Sequence, residues 1–198
     1  YFVNQKKIII RAEDIRQIEA AVMWAEKHDL KIIISGGRDA WRVSELLVKH
    51  NVPIILQHVQ TIPRRRFEPI HIPYKTPALL LQKGVKFCLS TDQGYPFNGH
   101  VRTLPNEAMR AATWGLSKEE ALRAITLSTA EILGIDKRVG SLEPGKDATF
   151  FISNDSPLKI TTNPIKAYIM GREVDLSDRQ KMLYNKYKEK YRRKGQLE

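Results

Sequence analysis

Ser90-Thr91-Asp92 closes the apolar run from Val85 to Leu89, so a carboxylate stands where a buried strand should end. His58 follows a second such run, Pro53 to Leu56, and by topology faces the same mouth as Asp92. Asn98 and His100 lie in the loop that leaves Asp92, on the same side. An imidazole and a carboxylate sharing a mouth can serve as base and acid in a metal-free reaction, with His58, Asn98 and His100 against the substrate. Nothing in the spacing demands it, since a strand-end aspartate can equally cap the next helix. Other residues invite less. His28 and His50 fall near helix ends, where a cation complements the dipole. Cys88 is central in its apolar run and reads as a small core residue. Gly36-Gly37 lacks the third glycine and the Lys-Ser/Thr of a phosphate loop, so it reads as a tight turn. Arg64-Arg65-Arg66 could meet an anionic substrate, although a solvated loop is the simpler reading.

The elements that must position these groups alternate in type. Ile8 to Ile10, Lys31 to Ile34, Pro53 to Leu56 and Val85 to Leu89 are short apolar runs suited to buried strands. Between the first two, Ile15, Ile18, Val22 and Ala25 recur at helical spacing. Asp39 to His50 carries Val43, Leu46 and Leu47 inward. Thr76-Pro77 predicts an N-cap followed by proline at the first helical position, with Gly84 at the stop. Strand–helix–strand repeats imply a parallel sheet with right-handed crossovers, and strands apolar on both faces are what helix-covered parallel sheets require. Leu104 to Trp114 is a further helix. Ser117 with Glu120, and Ser128 with Glu131, both read as capping boxes. Turn-rich sequence from Val139 to Ala148 then feeds strands at Thr149–Ile152 and Ile165–Ile169, the latter with a tight turn at Met170-Gly171.

The 198 residues, 42% hydrophobic and 28% charged, suit one domain or one and a half. No apolar run approaches the ~18 residues of a membrane span. One cysteine excludes an internal disulfide framework and a multi-thiolate zinc site. The chain opens on Tyr1 with no signal-peptide pattern, so its start reads as processed or cut from a longer gene, and the compartment, cytoplasmic or exported, stays open. Net charge is 33 − 22 = +11, and Arg179 to Lys194 alone holds eight basic residues and one acid. Tyr184, Tyr187 and Tyr191 share one face of that segment. No groove-reading motif accompanies the charge, so a helix that lays its tyrosines on the body is expected in preference to a nucleic-acid strip.

Leu116-Ser117-Lys118-Glu119-Glu120-Ala121-Leu122-Arg123-Ala124-Ile125-Thr126, then Ala130-Glu131-Ile132-Leu133-Gly134, then Val139-Gly140-Ser141-Leu142-Glu143-Pro144-Gly145-Lys146-Asp147-Ala148, form a long ordered string. It resembles the C-terminal part of the amidohydrolase superfamily, near its imidazolonepropionase-related and dihydroorotase-like members. The likeness continues upstream through Gly84-Val85-Lys86 and Ser90-Thr91-Asp92, and loosely to Arg11-Ala12-Glu13-Asp14-Ile15. The resemblance implies a metal-dependent (β/α)₈ barrel with a small β-sandwich built from both chain ends. A whole barrel takes ~250 residues, so an α/β chain of this length should be the second half of a TIM-type barrel, strands five to eight, plus C-terminal sandwich strands. Residues 1–136 would be the half-barrel, 137–176 the sandwich strands and 177–198 a basic helix. The missing N-terminal half, or a partner chain, would complete the barrel, and a homo-oligomer is expected.

The resemblance further implies hydrolysis of non-peptide C–N bonds of a small-molecule substrate, with a divalent metal, zinc above all, held by imidazoles from strands five and six. It places the catalytic aspartate of strand eight at Asp92, which would also be the metal ligand if a metal is bound. The strand-five histidine aligns with Ile8 or Ile10, and the strand-six histidine with Gly36, none of which can coordinate. A degenerate, metal-free centre is therefore expected. The alternative is a non-catalytic homologue that binds or supports an active paralogue.

Overall fold

The computed structural model describes residues 6–57, 59–91 and 100–195. Four parallel strands, β1 (Ile8–Ala12), β2 (Ile32–Gly36), β3 (Ile54–Leu56) and β4 (Phe87–Leu89), lie side by side in chain order. Ile8 pairs with Ile32, Ile34 with Ile54, and Ile54 with Phe87. Helices α1 (Ile15–Lys27), α2 (Ser44–Lys49) and α3 (Ile72–Gln82) make the crossovers, and α4 (Leu104–Thr113), α5 (Lys118–Ile125) and α6 (Leu127–Leu133) follow. A separate antiparallel sheet joins β5 (Phe150–Ser153), β6 (Pro164–Ile169) and β7 (Arg172–Val174), and α7 (Arg179–Arg193) ends the described chain. No described helix is long and apolar enough to cross a membrane.

The two faces of the parallel sheet have different neighbours. Ala12, Ile32, Ile34, Ile54, Leu56, Phe87 and Leu89 enter the main core with Ile18, Val22, Leu47 and Leu80, and the partly buried Ile8 and Ile10 pack against it. On the other face Ile33 and Cys88 meet Ile132 of α6, with Ile55 beside them. Burying a side chain of this size contributes about 1.5–3 kcal/mol, so the helix-side layer dominates the stability of this part of the chain.

Local sequence explains most element ends. Asp14 caps α1 in a reciprocal box with Gln17, and Ser117 does the same with Glu120 at α5. Gly84 and Gly134 take left-handed φ values of 74° and 76° after α3 and α6, which glycine adopts without a Cβ penalty. Met170 and Gly171 turn the β6–β7 hairpin with φ of 50° and 78°, the pattern that matches strand twist.

Three local expectations are corrected. Helix α3 starts at Ile72, with Pro73 in its first turn, so Thr76 and Pro77 lie inside it. Thr76 Oγ1 donates back to the Ile72 carbonyl at 2.9 Å. Ser128 does not cap α6, because the helix starts at Leu127 with Thr126 before it, and Glu131 pairs with Arg123 at 2.6 Å instead. The stretch from Asp39 to His50 splits into a 3₁₀ turn, Ala40–Arg42, and α2. A fourth correction concerns the tail. None of the residues of α7 is buried, and its tyrosines stand in solvent, with Lys188 and Lys190 each 5.8 Å from a tyrosine ring centre.

Candidate functional site

Parallel strands all release their loops at one end, which is where α/β sheets bind ligands. Four segments leave the sheet there: Glu13-Asp14, Gly37 to Asp39, Gln57 onward, and Ser90-Thr91. On the face turned away from the helices, the last polar positions are Arg11 and Ser35, which are register partners, and Gln57, whose Nε2 donates to Ser35 Oγ at 3.4 Å. Arg11 is 67% exposed and Ile9, one layer below, 55%.

On this register the positions aligned with the two implied histidines do not lie on the face turned away from the helices. Ile8 and Ile10 pack toward the helices, and a Cβ on Gly36 would point at the Glu13 side chain. A shift of one residue in a strand exchanges its faces, so the inward strand-end positions are Arg11 and Ser35. A guanidinium has only donors and a serine only a hydroxyl. With an amide from Gln57, these do not make the His, Cys and carboxylate set that zinc takes. Among the described residues there is no cluster of three such ligands. Asp92, His58 and Asn98 lie outside the described residues. His100 opens a 3₁₀ turn, His100–Thr103, and its side chain is likewise outside the description.

Above the sheet end lies a cluster that the sequence did not announce. Tight turn Gly36-Gly37, with φ of 109° and 69°, brings the β2 loop down on Glu13. Gly37 N donates to the Ala12 carbonyl at 2.8 Å, Asp39 N to the Glu13 carbonyl at 2.9 Å, and Glu13 N to Gln17 Oε1 at 2.8 Å. Glu13 is thus pinned at its backbone, while both its carboxylate oxygens are buried without a hydrogen bond. Its nearest countercharge is Arg11, at 3.7 Å. Arg38 Nε and Gln57 Oε1 are also buried and unpartnered. A pocket of about 570 Å³ opens here, lined by Glu13, Arg16, Arg38 and Arg64 with Asp39 and Arg65 in its wall.

Arg65 is neither a free anion receptor nor a solvated loop residue. Its guanidinium grips Asp39 through two hydrogen bonds of 2.6 and 2.9 Å and reaches Glu68 at 2.7 Å. Arg42 holds the same Glu68 oxygen at 3.0 Å. Burial pushes both carboxyls up, but the Arg65 hydrogen bonds and charge outweigh it and hold Asp39 and Glu68 below the usual carboxylate range. The network fastens the loop after β3 to the loop after β2. Glu107 of α4 fastens the same long loop by accepting from Gln60 N at 3.0 Å. Cys88, as expected, is a core thiol, pushed up to about 11 chiefly by burial. His28 and His50 stand at the C-terminal caps of α1 and α2. A larger cavity, about 840 Å³, opens at the opposite, amino-terminal ends of the strands around Lys31, Pro53 and Lys86.

A parallel sheet crossed over by helices, with polar loops gathered at its carboxyl end, defines the class as α/β, and the likeness to a solved amidohydrolase fits the TIM-barrel type. Residues 12–175 match the model of the amidohydrolase family, and this chain belongs to that family. It is similar to the imidazolonepropionase of Shewanella baltica strain OS185, 40% identical over 72 residues, which are 36% of this chain and 18% of that protein. The imidazolonepropionase of Shewanella oneidensis is 40% identical over 76 residues, 38% of this chain and 19% of that one. Among solved structures, an amidohydrolase from Thermotoga maritima MSB8 superposes with a TM-score of 0.73 at 27% identity. That match covers 84% of this chain and 43% of the Thermotoga protein, so the chain spans less than half of its relative.

Proposed function

We propose that this chain is the strand-five-to-eight half of an amidohydrolase barrel, within a hydrolase of non-peptide C–N bonds whose metal centre is degenerate. Residues 1–136 form the half-barrel, 137–176 the C-terminal strands of the sandwich and 177–198 a basic extension. Ile8, Ile10 and Gly36 carry the reading: these positions, from which the family's metal-holding imidazoles are implied, hold no side chain that can coordinate, and the neighbouring Arg11 and Ser35 are register partners that offer no imidazole either. Family membership supports the hydrolase class. The need for a completing segment, from the same polypeptide or a partner chain, is supported by the exposed Ile9 and Arg11 face and by the bare apolar side of the small sheet at Phe151, Ile165 and Ile169.

In this reading Asp92 is the catalytic carboxylate. His58 is its proton partner, and Asn98 and His100 bind the substrate. The lack of any coordinating side chain at Ile8, Ile10 and Gly36, where the metal ligands are implied, also favours a second reading, a non-catalytic homologue that supports an active paralogue.

Elemental mass spectrometry on the full-length gene product, grown with zinc and manganese, tests the degenerate centre. Far less than one metal per chain is expected, unchanged by Asp92→Asn. About one metal per chain, lost in that variant, overturns it. Turnover of lactams or cyclic ureas that disappears in Asp92→Asn supports the hydrolase, and no turnover of either class with a folded protein leaves the non-catalytic reading standing.

A further inference from the structure

We propose that the pocket between Glu13 and Arg38 binds a small molecule carrying both an N–H donor and a carboxylate, the pair of groups released when water opens a cyclic amide. The proposal rests on the C–N hydrolase reading and assigns that protein a seat for its product.

The inference starts from unused hydrogen-bonding capacity. Asp39 and Arg65 satisfy each other, and Asp14 accepts from Gln17 N at 3.1 Å. What remains in the pocket is Glu13, with two buried and unpartnered oxygens, and Arg38, with a buried and unpartnered Nε. Carboxylate oxygens buried without a hydrogen bond are costly, and natural structures keep few such groups without a purpose. Arg11 meets Glu13 only at 3.7 Å, too long for a hydrogen bond, from a side chain largely in water.

The carboxylate is held in place by what Gly36 lacks. A Cβ there would sit 2.7 Å from Glu13 Cδ and Oε1 and 2.9 Å from Oε2. Glycine leaves that volume to the carboxylate, and its φ of 109° suits no other residue. Since the Glu13 backbone is fixed at both its N–H and its carbonyl, the acceptor is pre-organised.

Ligand chemistry follows from the residual charges. Glu13 requires a donor, and Arg38 requires an acceptor. Arg16 and Arg64 are exposed on the same rim without ion pairs among the described residues, adding attraction for an anion. A simple anion would leave Glu13 bare, and a simple amine would leave Arg38 bare. An amino acid or amido acid satisfies both. Ring opening of a lactam produces this pair: the water oxygen bonds to the carbonyl carbon, the C–N bond breaks, and the nitrogen takes a proton. A carboxylate and an amine result, with no oxidant or second substrate. At about 570 Å³ the pocket is in the range that small ligands occupy.

Calorimetric titration of the full-length gene product with glycine, β-alanine, γ-aminobutyrate and ε-aminocaproate, against butyrate, butylamine and pyrrolidinone, tests this. At least one amino acid should bind about tenfold or more tightly than the single-function probes, in line with one added charge-assisted hydrogen bond. Glu13→Gln should remove that preference while leaving the melting temperature unchanged or raised, because a charge buried without a hydrogen bond is gone. Arg38→Gln should equally weaken the amino acid and butyrate. Equal affinity for butyrate and the amino acids, no binding of any probe, or a Glu13→Gln protein that melts earlier yet binds unchanged each overturns the site. Because binding is read without turnover, a protein that shows the preference but opens no lactam keeps the site and sinks only the hydrolase reading.

Discussion

Arg65 shows how one side chain can carry the geometry of a site without touching its chemistry. The Asp39 side chain it grips is 3% exposed and Glu68 4%. Removing the guanidinium strands Asp39 in low dielectric and leaves Glu68 to Arg42 alone. Arg65→Met is expected to cost about 3 kcal/mol, the lower end for a broken buried pair because Arg65 is itself 32% exposed. Denaturant melting reads it directly. Both carboxyls are more acidic in the folded chain than in the unfolded one. Their contribution is therefore complete above the unfolded values of about 4 and lost as pH falls through the folded ones. Melting temperature should fall with acid below about pH 4 in the native sequence, and Arg65→Met should flatten that part of the profile.

At the level of elements, caps discriminate between similar sequence signals. Ser117 and Ser128 both stand three residues before a glutamate, yet only Ser117 caps a helix, accepting from Glu120 N at 3.1 Å. Ser117→Ala should cost about 1 kcal/mol, whereas Ser128→Ala should stay within about 0.5 kcal/mol. Parallel thermal melts separate the two. The difference arises because α5 and α6 are nearly continuous: Thr126 serves as the end of one and the start of the other. A cap needs an extended residue ahead of the helix, and φ −68°, ψ 160° at Ser117 supplies it.

For the molecule as a whole, the distribution of buried surface separates what holds the fold from what waits for a partner. The parallel sheet and its helices share one core, whereas α7 buries nothing and the small sheet leaves Phe151, Ile165 and Ile169 in water. Deleting residues 178–198 from the full-length gene product should change stability by no more than about 0.5 kcal/mol. A larger loss would show that the tyrosine face is covered in the folded protein. Among the described residues no strand pairs with the outer edges of β1 and β4, and an apolar edge such as Ile8-Ile9-Ile10 is a pairing template that native proteins cover.

Much of this was legible in the chain itself. Ile32-Ile33-Ile34 and its counterparts are apolar on both faces, which specifies a parallel, helix-covered sheet through the hydrophobic effect alone, and Ser117-Lys118-Glu119-Glu120 specifies its helix start through local hydrogen bonds. The ordered string from Leu116 to Ala148 likewise carried the family, which the match over residues 12–175 bears out. The candidate pocket was not legible. Glu13 stood only within a loosely matching string and Gly36 read as a turn, because only the β1–β2 register sets Gly36 beside Ala12 and so beneath the Glu13 carboxylate. Arg65 and Asp39 are 26 residues apart, and no local pattern couples them. Which face a strand residue presents turns on a register of one residue, and register is decided by how the sheet packs against its helices. Local sequence determined the elements; contacts between residues distant in sequence decided which polar groups meet at the sheet end and which were left unpaired.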